Sequence, residues 1–366
     1  MLWSVKRSVQ LPVPQFGVNW KGGNYAGLRA ATLPLARERR NRAGMTSMRQ
    51  PTRKGVLNAA AKVAAILPPT PLLRFEHDGR ALWAKAECLQ PMGAFKIRGA
   101  WHRLTALSDE EKARGVVAVS SGNHAQGVAW AARKLDIEAT IVMPADAPRV
   151  KLERTRELGA TVITYDRLTE NREEIAKAIA SENDAIYVHA FGDPWVIEGQ
   201  GSAGVEIAAQ MQAQAGRLPS RIIACCGGGG LSAGLSLACP DAAVIPVEPE
   251  GWDDICRSLE TGEIQNVGSN PPPTACDALQ TFATFPLNFA VLQKNCREWA
   301  RVSEAEIRAA QRFAFANLRL VVEPGGAAAL AAVLAGKIAV DDATAVMITG
   351  GNVDARSFAQ VLGDTN

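Results

Sequence analysis

The chain has 366 residues, of which 47% are hydrophobic and 21% charged, with a formal net charge of +3. That length accommodates one large α/β domain or two lobes sharing a cleft, in a composition ordinary for a globular enzyme. The small net charge argues against a nucleic-acid partner, and no apolar run is long enough to span a bilayer, so no membrane partner and a cytoplasmic location are expected.

The charge is unevenly placed. Residues 1–50 carry nine Lys/Arg and a single acid, Glu38, whereas the remainder holds 31 basic and 36 acidic residues. This basic leader contains Pro12, Pro14, Gly22 and Gly23 and shows no sustained periodicity. Three readings stay open. It is a disordered tail, a non-native segment upstream of a start at Met45 or Met48, or an Arg-rich, acid-poor transit peptide. The seven cysteines (Cys88, Cys225, Cys226, Cys239, Cys256, Cys276, Cys296) are odd in number and match neither a zinc nor a disulfide spacing. They read as small buried apolar residues in a reducing compartment.

Beyond the leader, short apolar runs alternate with helical stretches. Gly115 to Ser120 reads as a buried strand that turns through Ser-Gly-Asn into a helix over Ala125 to Leu135. Ala139 to Met143 is the next strand, Val150 to Leu158 a helix, and Thr161 to Thr164 a strand. Arg221 to Cys225, Ala243 to Val247 and Ala345 to Ile348 repeat the strand pattern. Continuous apolar strands separated by helices predict parallel sheets covered on both faces. Ligands then sit at the carboxyl ends of strands, in the strand-to-helix turns.

Four motifs fall in such turns. In Gly93-Ala94-Phe95-Lys96, the lysine follows a glycine turn at the start of a helix. A positive helix end and an apolar neighbour both disfavour its ammonium form, as a Schiff-base lysine requires. Taken alone, a lysine is ordinarily a solvated surface charge. Ser120-Ser121-Gly122-Asn123-His124 joins strand to helix, where unsatisfied N–H groups bind a carboxylate or phosphate. Its plain alternative is an N-cap by Ser121 or Asn123. Gly227-Gly228-Gly229-Gly230-Leu231 permits close backbone approach and forms a nest of N–H donors for a phosphate. It lacks the residues of a P-loop and the spacing of a dinucleotide fingerprint. Thr349-Gly350-Gly351-Asn352 places a hydroxyl at a strand end.

These motifs, in this order, resemble the fold-type II pyridoxal-phosphate (PLP) enzymes, and among them the threonine/serine dehydratases and serine racemase. Pro68 to Leu72, Gly199-Gln200-Gly201, Val247-Glu248-Pro249 and Val322 to Ala327 add to the resemblance, which runs from about Ala60 to Asp354. The resemblance implies a two-lobed α/β fold like the tryptophan synthase β subunit. A large PLP-binding domain is expected over 51–114 and 195–366, a small domain over 115–194, and a homodimer or homotetramer. It also implies roles. Lys96 holds PLP as a Schiff base and serves as base at the substrate Cα. Phe95 packs beside the pyridine ring, and Asn123 hydrogen-bonds the phenolic oxygen. Gly227, Gly228, Gly229, Gly230 and Leu231 hold the phosphate, and Thr349 faces the pyridine nitrogen. Ser121, Gly122, Asn123 and His124 hold the substrate carboxylate, and Ser121 matches the racemase's second acid/base. Two departures stand out: Ala94 where the family usually has Ser, and Thr349 where Ser or Cys is common.

A Mg²⁺ or Ca²⁺ is also implied, on Glu248, the Trp252 carbonyl and Asp254. The plain alternative is a surface acidic loop. The expected activity is conversion of L-threonine or L-serine to a 2-oxo acid and ammonia. The alternatives are an amino-acid racemase, or a dehydratase of another β-hydroxy amino acid such as hydroxyaspartate. Few residues follow the terminal Gly-Gly-Asn, so no C-terminal regulatory domain is expected.

Overall fold

The computed structural model describes residues 49–120, 122–147 and 149–363. The leader expected over 1–50 falls almost wholly outside them. Its last residues fall inside, and Arg49 donates to both carboxylate oxygens of Glu198 at 2.9 and 2.7 Å.

Among the described residues ten strands form two sheets. The six-stranded sheet has the order β1-β2-β10-β7-β8-β9, built from β1 (Leu72–His77), β2 (Arg80–Ala86), β7 (Arg221–Cys225), β8 (Ala243–Pro249), β9 (Ala300–Val302) and β10 (Thr344–Ile348). The four-stranded sheet has the order β5-β4-β3-β6, built from β3 (Val116–Val119), β4 (Ala139–Pro144), β5 (Thr161–Tyr165) and β6 (Ile186–Tyr187). Every pairing is parallel except β1 with β2.

Strand β7 explains why the apolar runs are continuous. Ile222 and Ala224 pack into one core cluster, while Ile223 and Cys225 pack into the cluster on the opposite face. Strand β10 does the same with Ala345 and Met347 against Val346 and Ile348. Both faces are dry, so alternation gives no polar side. The α/β class with helix-covered parallel sheets agrees with the expectation. The hairpin β1–β2 was not expected. Its turn is Asp78-Gly79 with φ of 50° and 73°, a pair that favours a two-residue hairpin loop. All seven cysteines are free and buried. Among the described residues no helix is long and apolar enough to cross a membrane.

Glycine lets three helices behind the six-stranded sheet approach backbone to backbone. A Cβ on Gly199, in the helix Pro194–Ala215, would lie 2.5 Å from Gly99 Cα in the helix Lys96–Leu104. A Cβ on Gly201 would lie 2.5 Å from the Gly234 carbonyl oxygen in the helix Gly230–Ala238. Both obstacles are backbone, which cannot swing aside. Gly201→Ala should therefore cost about 3 kcal/mol or more in urea unfolding. Gly216→Ala, where nothing lies within 4 Å and only a φ of +65° opposes the side chain, should cost about 1–2 kcal/mol. Equal losses would mean that the helices separate easily and the close contact is not tight.

Candidate active site

The carboxyl ends of β3, β7 and β10 and the start of the helix Lys96–Leu104 open on one cavity. It is lined by Phe95, Lys96, Gly122, Asn123, His124, Gly227, Gly228, Gly229, Gly230, Leu231 and Thr349. These are the sequence-predicted cofactor and substrate residues apart from Ser121, which lies outside the described residues.

Lys96 opens its helix after Gly93, which takes the left-handed φ of 68°. Its Nζ donates to the Ala190 carbonyl at 2.9 Å and lies 5.3 Å from the centre of the Phe95 ring. Burial pushes its pKa down to about 8. Such an amine is half deprotonated near pH 8, far more available as a nucleophile at neutral pH than an ordinary lysine.

The helix Gly230–Ala238 begins at Gly229, whose φ of 84° suits glycine. Its first N–H groups have no partner within the helix, and Gly229, Gly230 and Leu231 line the cavity. The loop is aimed by residues the sequence reading missed. Asn288 Nδ2 and Thr284 Oγ1 donate to the Gly228 carbonyl at 2.8 and 3.2 Å. Because the peptide is trans, this turns the Gly229 N–H to the opposite side. A Cβ on Gly228 would come within 2.3 Å of the Phe191 ring. A side chain there thus disturbs the protein itself as well as any bound phosphate.

The helix Asn123–Leu135 likewise starts at the cavity, with Gly122 as N-cap and no side-chain cap. Asn123 does not cap. Its Oδ1 accepts from Asn352 Nδ2 at 2.8 Å, and its Nδ2 donates to Glu323 Oε1 at 2.6 Å. His124 is buried, with Nε2 3.2 Å from the Val188 carbonyl. Burial and the nearby Lys96 charge push its pKa down to about 3, so it is neutral. A neutral ring offers no charge to a carboxylate, and the helix start remains the anion donor. Thr349 Oγ1 lies 3.0 Å from Cys225 Sγ.

Other wall residues carried no sequence signal. Lys151 Nζ pairs with Asp277 at 2.7 Å across the cavity. His189 Nδ1 accepts the N–H groups of Phe191 and Gly192 at 3.3 and 2.8 Å, which leaves the ring proton on Nε2. Glu173 accepts the Tyr187 hydroxyl. Arg172, at the first position of its helix, lines the same cavity and forms no ion pair among the described residues.

The residues present fit PLP: an amine of lowered pKa, an aromatic ring beside it, and a side-chain-free cradle of N–H donors. The expected cation site is also coherent. Glu248 and Asp254 are fully buried, and neither Asp254 oxygen has a hydrogen-bond partner. Glu248 accepts the N–H groups of Ile255 and Cys256 at 3.3 and 2.7 Å. Burial and mutual repulsion push the Glu248 pKa up, and burial pushes Asp254 to about 7. No group of three or more His, Cys, Asp or Glu suited to a metal occurs among the described residues. The set is therefore two carboxylates and, in the expected arrangement, the Trp252 carbonyl.

This geometry makes two predictions. Lys96→Ala should remove the lysine-linked pyridoxyl adduct that borohydride reduction leaves on the wild type, as read by peptide mass. In the wild type, the rate of PLP capture should rise with pH through about 8 as the amine loses its proton. An adduct that persists in the variant would move the linkage elsewhere. At the cation site both carboxyl pKa values are raised in the folded state. Their contribution to stability is therefore fully present at acid pH and is lost as pH rises through the folded values. Ca²⁺ or Mg²⁺ should raise Tm, more at pH 8 than at pH 5, and a chelator should reverse it. A Tm indifferent to both at pH 8 would leave these carboxylates without a cation.

Comparison with known proteins agrees with the geometry. A family model described as "Pyridoxal-phosphate dependent enzyme" matches residues 63–350. L-threo-3-hydroxyaspartate ammonia-lyase of Pseudomonas sp is 37% identical over 316 residues, covering 84% of this chain and 97% of that protein. Serine racemase of Dictyostelium discoideum is 34% identical over 87% of this chain and all of that protein. The crystal structure of T.th. threonine deaminase aligns with a TM-score of 0.77 at 40% identity, covering 83% of this chain and 99% of that one. The chain belongs to the pyridoxal-phosphate dependent enzyme family, in its fold-type II branch of ammonia-lyases and racemases.

Proposed function

We propose that this protein is an ammonia-lyase that eliminates water from 3-hydroxyaspartate, giving a 2-oxo dicarboxylic acid and ammonia. This reading takes the hydroxyaspartate alternative in place of threonine or serine. The observation that carries it is Arg172. Of the three acids that line the cavity, Glu173 is engaged with Tyr187, Asp277 with Lys151 and Glu323 with Asn123, and none pairs with Arg172. Arg172 is thus a cation without a counter-ion among the described residues, and it stands at a helix N-terminus that is itself positive. A methyl group or hydrogen on the substrate Cβ gives it no partner. A second carboxylate does. The name of the Pseudomonas relative points the same way.

When bound, PLP supplies the electron sink that makes the substrate Cα proton removable. The protein supplies the rest. Gly227 to Leu231 would hold the phosphate, Phe95 would flank the ring, Asn123 would serve the phenolic oxygen, and Thr349 would offer a hydroxyl to the pyridine nitrogen. A hydroxyl there does not hold that nitrogen protonated, which favours elimination over transamination. The loop Ser121 to His124 receives the α-carboxylate on backbone N–H groups, while Arg172 receives the β-carboxylate. Lys96 Nζ takes the Cα proton, and the ammonium so formed returns it to the β-hydroxyl, which departs as water. The enamine released tautomerises, and water converts it to the 2-oxo acid and ammonia. A Mg²⁺ or Ca²⁺ on Glu248, Trp252 and Asp254 would neutralise those carboxylates and brace β8 behind the phosphate cradle.

Arg172→Gln tests the substrate. Loss of one charged hydrogen-bonded contact should lower kcat/KM for L-threo-3-hydroxyaspartate by about 10- to 100-fold. Turnover of L-threonine or L-serine, assayed as 2-oxo acid release, should change little or improve. Equal losses on all three substrates would remove Arg172 from substrate recognition and return the assignment to a monocarboxylic hydroxy amino acid.

A further inference from the structure

Glu323 occupies a position at which its carboxylate is expensive. It is the N-cap of the helix Pro324–Leu334, yet its side chain accepts no N–H from that helix. A shorter Asp at an N-cap bonds its own helix end, whereas the longer Glu323 side chain reaches past it. Here Oε1 instead accepts Asn123 Nδ2 at 2.6 Å, across 200 residues of sequence. Glu323 is only 3% exposed and lines the active-site cavity, and its Oε2 has no hydrogen-bond partner. The chain makes room for it: a Cβ on Gly350 would sit 2.0 Å from Oε1. A buried oxygen left without a partner is rare in a folded protein and requires a reason.

We propose that Glu323 is a positioning residue for Asn123 and the site's proton-holding group, carrying a proton on Oε2 that it releases as pH rises. The proposal rests on the reading of Asn123 as partner of the cofactor's phenolic oxygen. Asn123 is held on both sides. Asn352 supplies a hydrogen to its Oδ1, and Glu323 takes one hydrogen of its Nδ2. The second Nδ2 hydrogen is left for the cavity. Neutral Glu323 still accepts from Asn123 through Oε1 and places no charge beside the phenolic oxygen. Ionised Glu323 places a negative charge there and repels a phenolate. The acid thereby links proton uptake to the charge state of the oxygen that Asn123 serves.

The surroundings are consistent with this. Burial pushes the Glu323 pKa up to about 7, Asp277 adds to the rise, and Lys151 and the Asn123 hydrogen bond oppose it. Cys88 and Cys225 also feel the carboxylate. Burial pushes their thiols to about 12 and about 11, so both stay neutral. Asp277 and Lys151 are thus the charged groups that bear on Glu323, and they are paired with each other.

The test begins without cofactor, so that it judges Glu323 separately from Asn123. A difference-infrared pH titration of the apoprotein should show a protonated carboxyl band disappearing near neutral pH. Glu323→Gln, which keeps the shape and the acceptor for Asn123, should remove that band. Asp277→Asn should shift its midpoint to lower pH. Unfolding gives a second readout. An acid whose folded pKa is raised loses its stabilising effect as pH rises from about 4.5 to about 7. Between pH 5 and pH 8 the wild type should therefore lose more stability than Glu323→Gln. In the holoprotein, where Lys96 imposes its own pH dependence on both proteins, the ratio of PLP affinity in Glu323→Gln to that in the wild type should rise several-fold over the same range. A carboxyl band that survives Glu323→Gln would overturn the proton assignment. A lost band with an unchanged affinity ratio would uphold the proton and overturn the link through Asn123.

Discussion

Four charges, three of them buried and Glu206 half-buried, brace the helix that Lys96 opens. Two residues beyond Lys96, the Arg98 guanidinium donates to both oxygens of Glu87 at 2.7 Å and to both oxygens of Glu206 at 2.7 and 2.8 Å. Lys85 Nζ completes the set, donating to Glu206 at 2.6 Å, Gln210 at 2.8 Å and the Thr70 carbonyl at 2.8 Å. Burial would raise the Glu87 pKa, but Arg98 and Lys85 outweigh it and hold it near 2. Each member comes from a different element: β2, the short turn after it, the helix Lys96–Leu104 and the helix Pro194–Ala215. Such a cluster adds little net stability over apolar packing, yet removing one member strands a charge in the core. Its value here is geometric. It forbids the lysine helix from sliding along its neighbours, and so fixes where Nζ emerges.

The second constraint is the absence of side chains at crossings. Gly99 against Gly199 and Gly201 against Gly234 bring three helices into backbone contact. The helix Gly230–Ala238 is then tied to the lysine helix through Pro194–Ala215. Its start holds the proposed phosphate cradle, and the lysine helix holds the amine. Glycine therefore does two separate things in one chain. In the loop it opens space for a ligand, and in the helices it removes the space between backbones.

Much of this was legible in the sequence, for identifiable reasons. Strands buried on both faces announce themselves as unbroken apolar runs, and β3, β4, β5, β7, β8 and β10 were read within two residues of their ends. Strands β1 and β2 were missed although Asp78-Gly79 marks a hairpin, because their mixed burial interrupts the apolar pattern. The short strands β6 and β9, of two and three residues, hold too few residues to carry a period. Glycine motifs were legible because a backbone requirement restricts residue type locally. Arg172, Glu323, Asn288 and His189 were not, because an ordinary polar residue acquires its role only from what the fold places opposite it. Asn288 gave the one faint signal: a polar residue, fully buried, within the apolar stretch Pro286 to Leu292.

The unsatisfied groups of the interior separate the structural charges from the functional ones. In the cluster under the lysine helix, every carboxylate oxygen of Glu87 and Glu206 has a donor, as a permanent structural element requires. Asp254 leaves both oxygens unpartnered, and Glu323 leaves one. A protein that had no use for these carboxylates could replace them with amides at no cost in shape. Incomplete coordination calls for a completing partner, which the expected cation would supply for the first and the proposed proton for the second. Arg172 is a milder case: half-buried in the cavity wall, it forms no ion pair among the described residues, where the proposed dicarboxylic substrate would bring one. Paired charges beneath the lysine helix set the geometry of the site, and the unpaired groups mark where the proposed cation, proton and substrate would be received.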